Sequence, residues 1–304
     1  MKKAFIFCLI VLVSLSICFS DDEKKKESKN DIQAFFETCR KLYQEGKVEE
    51  VVKLLDEGLE KYPDSRLDLI KSKYQILEKM GRYKEALEAA IETDKLDPRK
   101  LRSNSLNVAS LYVHLNDTDN AFKWLEITVD RGFQYYDTFE KDDTFKPLKG
   151  DKRLDSVIKR IKENIGLDKP VKQFNRQALS GSQVSPSKYK GKVVLIDFWA
   201  TWCSPCVKKI PDLKKYYAEF KDKGFEIIAI NLDSDKEKFD AFMKEKKLEW
   251  PVVFEGKGWK DETRELFGVN SIPSYWLVDK KGILRHFGLK GEELRNAIAQ
   301  LINE

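Results

Sequence analysis

Cysteine and histidine are scarce in this chain, with five and two among 304 residues. A disulfide-stapled scaffold is thereby excluded, so the cores must hold by packing. Material for a metal centre is missing too. Apart from one closely spaced cysteine pair and two cysteines near the N-terminus, only Cys39, His114 and His286 remain, far apart in sequence. No metal is expected. Charge of one sign is also lacking: 56 Lys and Arg face 51 Asp and Glu, the two signs alternate, and nucleic-acid binding gets no support. One long apolar run exists, from Ala4 to about Phe19, shorter than the roughly 20 residues of a spanning helix.

That run follows Met1-Lys2-Lys3 and precedes Asp21-Asp22-Glu23-Lys24-Lys25-Lys26, the layout of a secretory signal over residues 1–20. Cleavage after Ser20 places Cys18 and Ser20 at the small-residue positions and removes Cys8 and Cys18 with the signal. Lipidation of Cys18 is disfavoured by the bulky Ile17, while an uncleaved run would anchor the chain to a membrane. The expected address is therefore exported, periplasmic or otherwise extracytoplasmic, with membrane contact only if the segment stays uncleaved. Residues 21–30 are almost wholly polar and read as a solvated tether.

The length favours two domains. Between residues 31 and 130 the chain repeats with a period of 35, seen in Gly46 and Gly81 and in Pro63 and Pro98. Leu42, Leu77 and Tyr112 fall in phase, as do Val51, Ala86 and Ala121, and Asn116 takes the place of the glycine. A glycine or asparagine at a fixed point between amphipathic stretches predicts a helical hairpin. The pattern resembles the tetratricopeptide repeat, whose usual period is about 34 residues. The first unit departs from that family, with Cys39 at a small-residue position and Gly58 where alanine is usual. Such stacks offer a concave face to a protein partner, or serve only as a packing platform. Tyr74, Tyr83, Tyr112 and Trp124 are read as core, and lone Cys39 as a small buried hydrophobe. Lys152 to Ile165 has helical spacing and is expected to cap the stack, which closes a helical region over residues 31–165. Gly166-Leu167-Asp168-Lys169-Pro170 reads as the linker.

From residue 171 to 304 strands and helices alternate, ending in a hairpin around Asp279-Lys280-Lys281-Gly282 and a helix, which predicts an α/β sandwich on a mixed sheet. The buried strand Val193 to Phe198 leads into Trp202-Cys203-Ser204-Pro205-Cys206. Cysteines three apart in the first turn of a helix share a face and can close a disulfide or open to a dithiol. Pro205 suits that turn, because the donor it lacks would have no partner there. Cys203, at the helix N-terminus, is the expected thiolate and attacker, and Cys206 the resolving thiol. Half a zinc site and an inert disulfide are the competing readings of such a pair.

Strand order and motif together strongly resemble thioredoxin, across residues 171–304, and within that superfamily the chain looks most like the TlpA/ResA-like thiol-disulfide oxidoreductases. The resemblance implies an extracytoplasmic reductant of protein disulfides, recharged by a thiol electron donor, with no cofactor beyond the redox-active disulfide Cys203–Cys206. It places Pro273, after Ile272, where thioredoxins keep a substrate-facing cis-proline, and assigns Trp202, Ile272 and Pro273 to substrate binding. Asp197 matches thioredoxin's buried acid, a proton relay to the resolving thiol, yet Ala229 stands where thioredoxin has the partner lysine. Trp199 is expected beside Trp202 at the apolar rim while also packing in the domain, and Asp233 and Asp235 as solvated loop charges. The fold expected is thus an all-α repeat region followed by a thioredoxin-fold α/β domain. The rival functions are a thiol peroxidase of the same fold and a non-catalytic adaptor built on the repeats.

Overall fold

Six helices in hairpin pairs open the described part of the chain, which in this computed structural model is residues 23–304. They are α1 (Glu23–Gln44), α2 (Val48–Lys61), α3 (Arg66–Lys79), α4 (Tyr83–Leu96), α5 (Arg102–His114) and α6 (Thr118–Asp130). The secretory-signal reading, with Cys8 and Cys18, falls outside the described residues. The expected tether does not hold from Glu23 onward: its Glu- and Lys-rich sequence is continuous with α1, in keeping with the high helix propensity of both residues.

The 35-residue period is written in the backbone. Gly46, Gly81 and Asn116 all adopt positive φ, at 77°, 72° and 59°. In each turn two hydrogen bonds close the helix end: Lys47 N to Leu42 O, Arg82 N to Leu77 O and Asp117 N to Tyr112 O, each at 2.9 Å, form the longer one. That is the Schellman arrangement, used three times at matched positions. The small residue at Gly58 also has a cause, because a Cβ there would stand 2.5 Å from Cζ of Phe35 on α1. Leu55, Leu69, Leu77, Ala86 and Leu111 are fully buried in this core. Tyr74 lies within it, Tyr83, Tyr112 and Trp124 pack against it, and Cys39 is buried there with its thiol pushed up to about 11 by desolvation. After α7 (Thr138–Lys141), α8 (Lys152–Ile165) sends Arg153 to Asp119 and over the Phe122 ring of α6, the capping contact expected of it.

Residues 139–157 belong to the helical unit, whereas residues 134–138 and 158–304 form the second compact unit. Its small hairpin pairs β1 (Arg176–Gln177) with β2 (Gln183–Val184). The main sheet holds β3 (Val193–Trp199), β4 (Phe225–Asn231), β5 (Val252–Phe254), β6 (Ser274–Val278) and β7 (Leu284–Phe287) in the order β5-β4-β3-β6-β7. The β3–β4 and β4–β5 pairs are parallel, and β3–β6 and β6–β7 antiparallel. Every residue of β3 and β4 is buried, as the continuous apolar runs require of central parallel strands.

The helices of this unit are α9 (Ser204–Val207), α10 (Ile210–Phe220), α11 (Lys236–Lys246), α12 (Glu262–Phe267) and α13 (Gly291–Asn303). The single helix expected from Cys203 to Lys223 is two, because Pro211 has no N–H to give and α10 restarts around it. The expected linker is not a free connection either. Asp168 N donates to Leu284 O at 2.8 Å and Leu284 N to Lys169 O at 3.0 Å, so residues 168–170 lie along β7 as a fringe of the sheet.

Candidate functional site

β3 runs out of the sheet at Trp199, and four residues later the chain turns into α9. Cys203 is the N-cap residue, and its Sγ accepts the backbone N–H of Cys206 at 3.3 Å. The two cysteines are joined as a disulfide, with Pro205 inside the first turn as the spacing predicted. Both are buried, 5% and 3% exposed, so exposure does not tell attacker from resolver. The donor does. A thiolate at Cys203 would keep the Cys206 N–H as a charge-assisted partner. With only four residues, α9 has little macrodipole, and this local N–H carries the stabilisation.

Asp233 holds the approach to the cysteines. Its side chain accepts from Thr201 N at 2.9 Å, from Thr201 Oγ at 2.6 Å and from Asn231 Nδ2 at 2.7 Å. It is 2% exposed, so the reading of Asp233 as a solvated loop charge is wrong. Asn231-Leu232-Asp233 at the end of a buried strand was the available signal: a polar pair there, facing a loop with free backbone donors, becomes a brace. Asp235 is exposed, as expected, and in addition caps α11 by accepting from Lys238 N.

Asp197 lies on β3 opposite Ala229 of β4 and Tyr275 of β6. Directly paired residues share a face of the sheet. The face is that of α10, whose Asp212 and Tyr216 lie near enough to Tyr275 to help raise its phenol. Asp197 is 4% exposed, its Oδ1 has no hydrogen-bond partner, and burial pushes its carboxyl up to about 8. Ala229 supplies no cation to oppose that shift. Burial, and then the charge of Asp197, pushes the Tyr275 phenol up, so it keeps its proton.

The peptide bond between Ile272 and Pro273 is cis, as expected from the resemblance. Register brings it to the dithiol end of the sheet: Ser274 pairs with Phe198, and one residue on, Pro273 meets the level of Trp199. Trp199 packs in the domain as expected, 2% exposed and against Phe242 of α11, which takes it out of the exposed rim. Trp202 is the rim residue, 55% exposed. Trp259, which nothing in the sequence singled out, joins it with ring centroids 6.1 Å apart and is itself 42% exposed. The turn that carries Trp259 includes two glycines at positive φ, Gly256 and Gly258, and Gly258 backs onto Ser234.

Residues 167–287 match the AhpC/TSA family. Thiol-disulfide oxidoreductase ResA of Bacillus thuringiensis subsp. konkukian is 31% identical over 143 residues, which cover 47% of this chain and 80% of that protein. ResA of Bacillus subtilis is 31% identical over 121 residues, 40% of this chain and 66% of that protein. Among solved structures, the thioredoxin domain of a thiol-disulfide oxidoreductase from Bacteroides vulgatus is 33% identical, with a TM-score of 0.42 over 45% of this chain and 98% of that one. The cysteine pair that closes at the end of β3 is thus set in a sequence akin to the ResA proteins, and the chain belongs to the ResA family of thioredoxin-fold thiol-disulfide oxidoreductases.

Proposed function

We propose that this chain reduces disulfides of exported proteins through its Cys-Ser-Pro-Cys dithiol. In the reduced enzyme the Cys203 thiolate attacks one sulfur of a substrate disulfide, forms a mixed disulfide and releases the other sulfur as a thiolate. Cys206 gives its proton to the Asp197 carboxylate and attacks Cys203 Sγ. Both substrate sulfurs leave as thiolates that take up one proton from Asp197 and one from solvent to give the dithiol, two electrons have moved, and the Cys203–Cys206 disulfide waits for an external thiol donor. Trp202, Ile272 and Pro273 bind the substrate as an extended segment, Trp202 by apolar contact and Ile272 through its backbone.

The observation that carries this reading is the hydrogen bond from Cys206 N to Cys203 Sγ, which supports Cys203 as the thiolate of the reduced pair. An extracytoplasmic address is supported by the basic start, apolar run and charged stretch of residues 1–26. Among the described residues no helix is long and apolar enough to cross a membrane. The three hairpins are tetratricopeptide-like and would offer their concave face to a partner protein.

Reduction of insulin by the wild-type protein with a dithiol donor, falling to the uncatalysed background in Cys203→Ser, is the expected result. Cys206→Ser should accumulate mixed disulfides with its substrates. Peroxide consumption in place of insulin reduction would assign the site to a peroxidase, and inactivity with an unreactive Cys203 to an adaptor.

A further inference from the structure

The aromatic stretch Phe133-Gln134-Tyr135-Tyr136 has no part in the chemistry above, yet residues 134–138 group with the catalytic unit. They act there as a strap. Gln134 is buried, and its Nε2 donates to Phe267 O at 3.2 Å, at the end of α12. The Tyr135 hydroxyl lies 3.1 Å from Ser271 Oγ. Its ring rests on Phe287 of β7 with centroids 5.3 Å apart. Gly288 makes room for that ring, since a Cβ there would stand 3.4 Å from Tyr135 Cδ1. Lys162 of α8 sits over the next ring, Tyr136, at 4.9 Å.

The strap therefore touches the last residue of α12, Phe267, and Ser271 within the connection between α12 and β6. That connection carries Ile272 and Pro273. A further anchor near α12 is Arg264, which donates to Val269 O at 3.0 Å and accepts Val269 N at its own carbonyl. Ser271 is adjacent to the residue whose backbone would pair with substrate, so a shift of its side chain moves the donor and acceptor that an extended peptide must meet. A bound peptide is sensitive to that shift, and a small disulfide that touches only the sulfurs is not.

We propose that Tyr135 is a positioning residue that fixes the Ser271–Pro273 loop in its substrate-binding conformation through its hydroxyl contact with Ser271. This rests on the reading of the chain as a protein-disulfide reductase. The loop that selects the substrate is then set by a residue outside the thioredoxin fold proper.

The test uses the full-length chain with two substrates, insulin and the small aromatic disulfide 5,5′-dithiobis(2-nitrobenzoic acid). Tyr135→Phe keeps the ring and removes the hydroxyl. It should raise KM for insulin about three- to tenfold, the worth of one hydrogen bond, with kcat within about twofold of wild type. Its rate with the small disulfide and the alkylation rate of reduced Cys203 should not change. Ser271→Ala should raise KM for insulin similarly, and the double variant should be no worse than either single one. An unchanged KM in a folded Tyr135→Phe, an equal loss on both substrates, or additive effects in the double variant would each overturn the proposal. Wild-type protein that reduces the small disulfide but not insulin would instead sink the functional reading beneath it.

Discussion

Asp197 is the residue whose chemistry is most exposed to test. A carboxyl that titrates near 8 in the folded protein and near 3.8 in the unfolded chain is held neutral by folding. Its neutral form is compatible with burial below pH 4. As pH rises from about 4 to about 8 the unfolded chain gives up the proton first, and the folded state loses stability across that window. Asp197→Asn should therefore flatten the fall of stability between those limits, and at pH 8 the variant should exceed wild type by on the order of a few kcal/mol. Activity should move the other way. If the carboxylate takes the Cys206 proton, resolution of the mixed disulfide rises with pH through about 8 in wild type, and the variant loses that limb and about 10²-fold in rate. Thermal melts across pH and stopped-flow decay of the mixed disulfide measure the two effects. A variant with the stability change but an unaltered rate profile would leave Asp197 as a buried acid with no proton role.

At the scale of elements, the dithiol turn is assembled from three pieces that the chain brings from different places: the end of β3, the short α9, and the Asn231–Asp233 bend after β4. The bend fixes Thr201 through both its amide and its hydroxyl, and Leu232 N donates to Trp199 O at 2.8 Å, so the residues just past β4 hold the last residue of β3 and the chain beyond it. Asp233→Ala leaves the Thr201 donors and Asn231 Nδ2 without this partner. We expect a loss of about 1–3 kcal/mol in stability and faster amide exchange at Thr201. Slower reduction of insulin should follow, because Trp202 and Cys203 are positioned through Thr201. Unchanged exchange at Thr201 would show that the turn holds itself. The same elements show what sequence could convey. The Cys-x-x-Cys spacing and the proline define the turn locally, and the apolar runs define β3 and β4. The role of Asp233 depends on a loop more than thirty residues earlier, and charge in a loop-like sequence gave it the wrong surroundings. Trp259 was hidden for the same reason, being placed by a glycine turn against Ser234 and not by any local pattern.

Among the described residues, one hydrophobic cluster lies within the repeat helices and another around the mixed sheet, with no residue in common. Much of this was legible: a 35-residue phase that reappears as three matched helix ends, and a strand-and-helix order that reappears as the sheet. The misjudged pieces were junctions. Residues 166–170 looked like a linker because glycine and proline break helices, yet extended backbone with free donors pairs readily with the exposed side of β7. The strap at residues 134–138 looked irregular because it forms only short local turns, and its place is set by tertiary contacts. Separate clusters make separate demands, and Leu77, fully buried on α3 in the repeat cluster, tests them. Leu77→Ala removes a large side chain from a packed helical core and should destabilise that core by about 2–5 kcal/mol. The sulfurs, Asp197 and the Asp233 brace draw on none of the residues around Leu77. The variant should therefore lose helical circular dichroism at a lower temperature than wild type while reducing a small disulfide at the wild-type rate below that transition. A matched fall in both signals would mean that the dithiol turn depends on the repeat core for its shape.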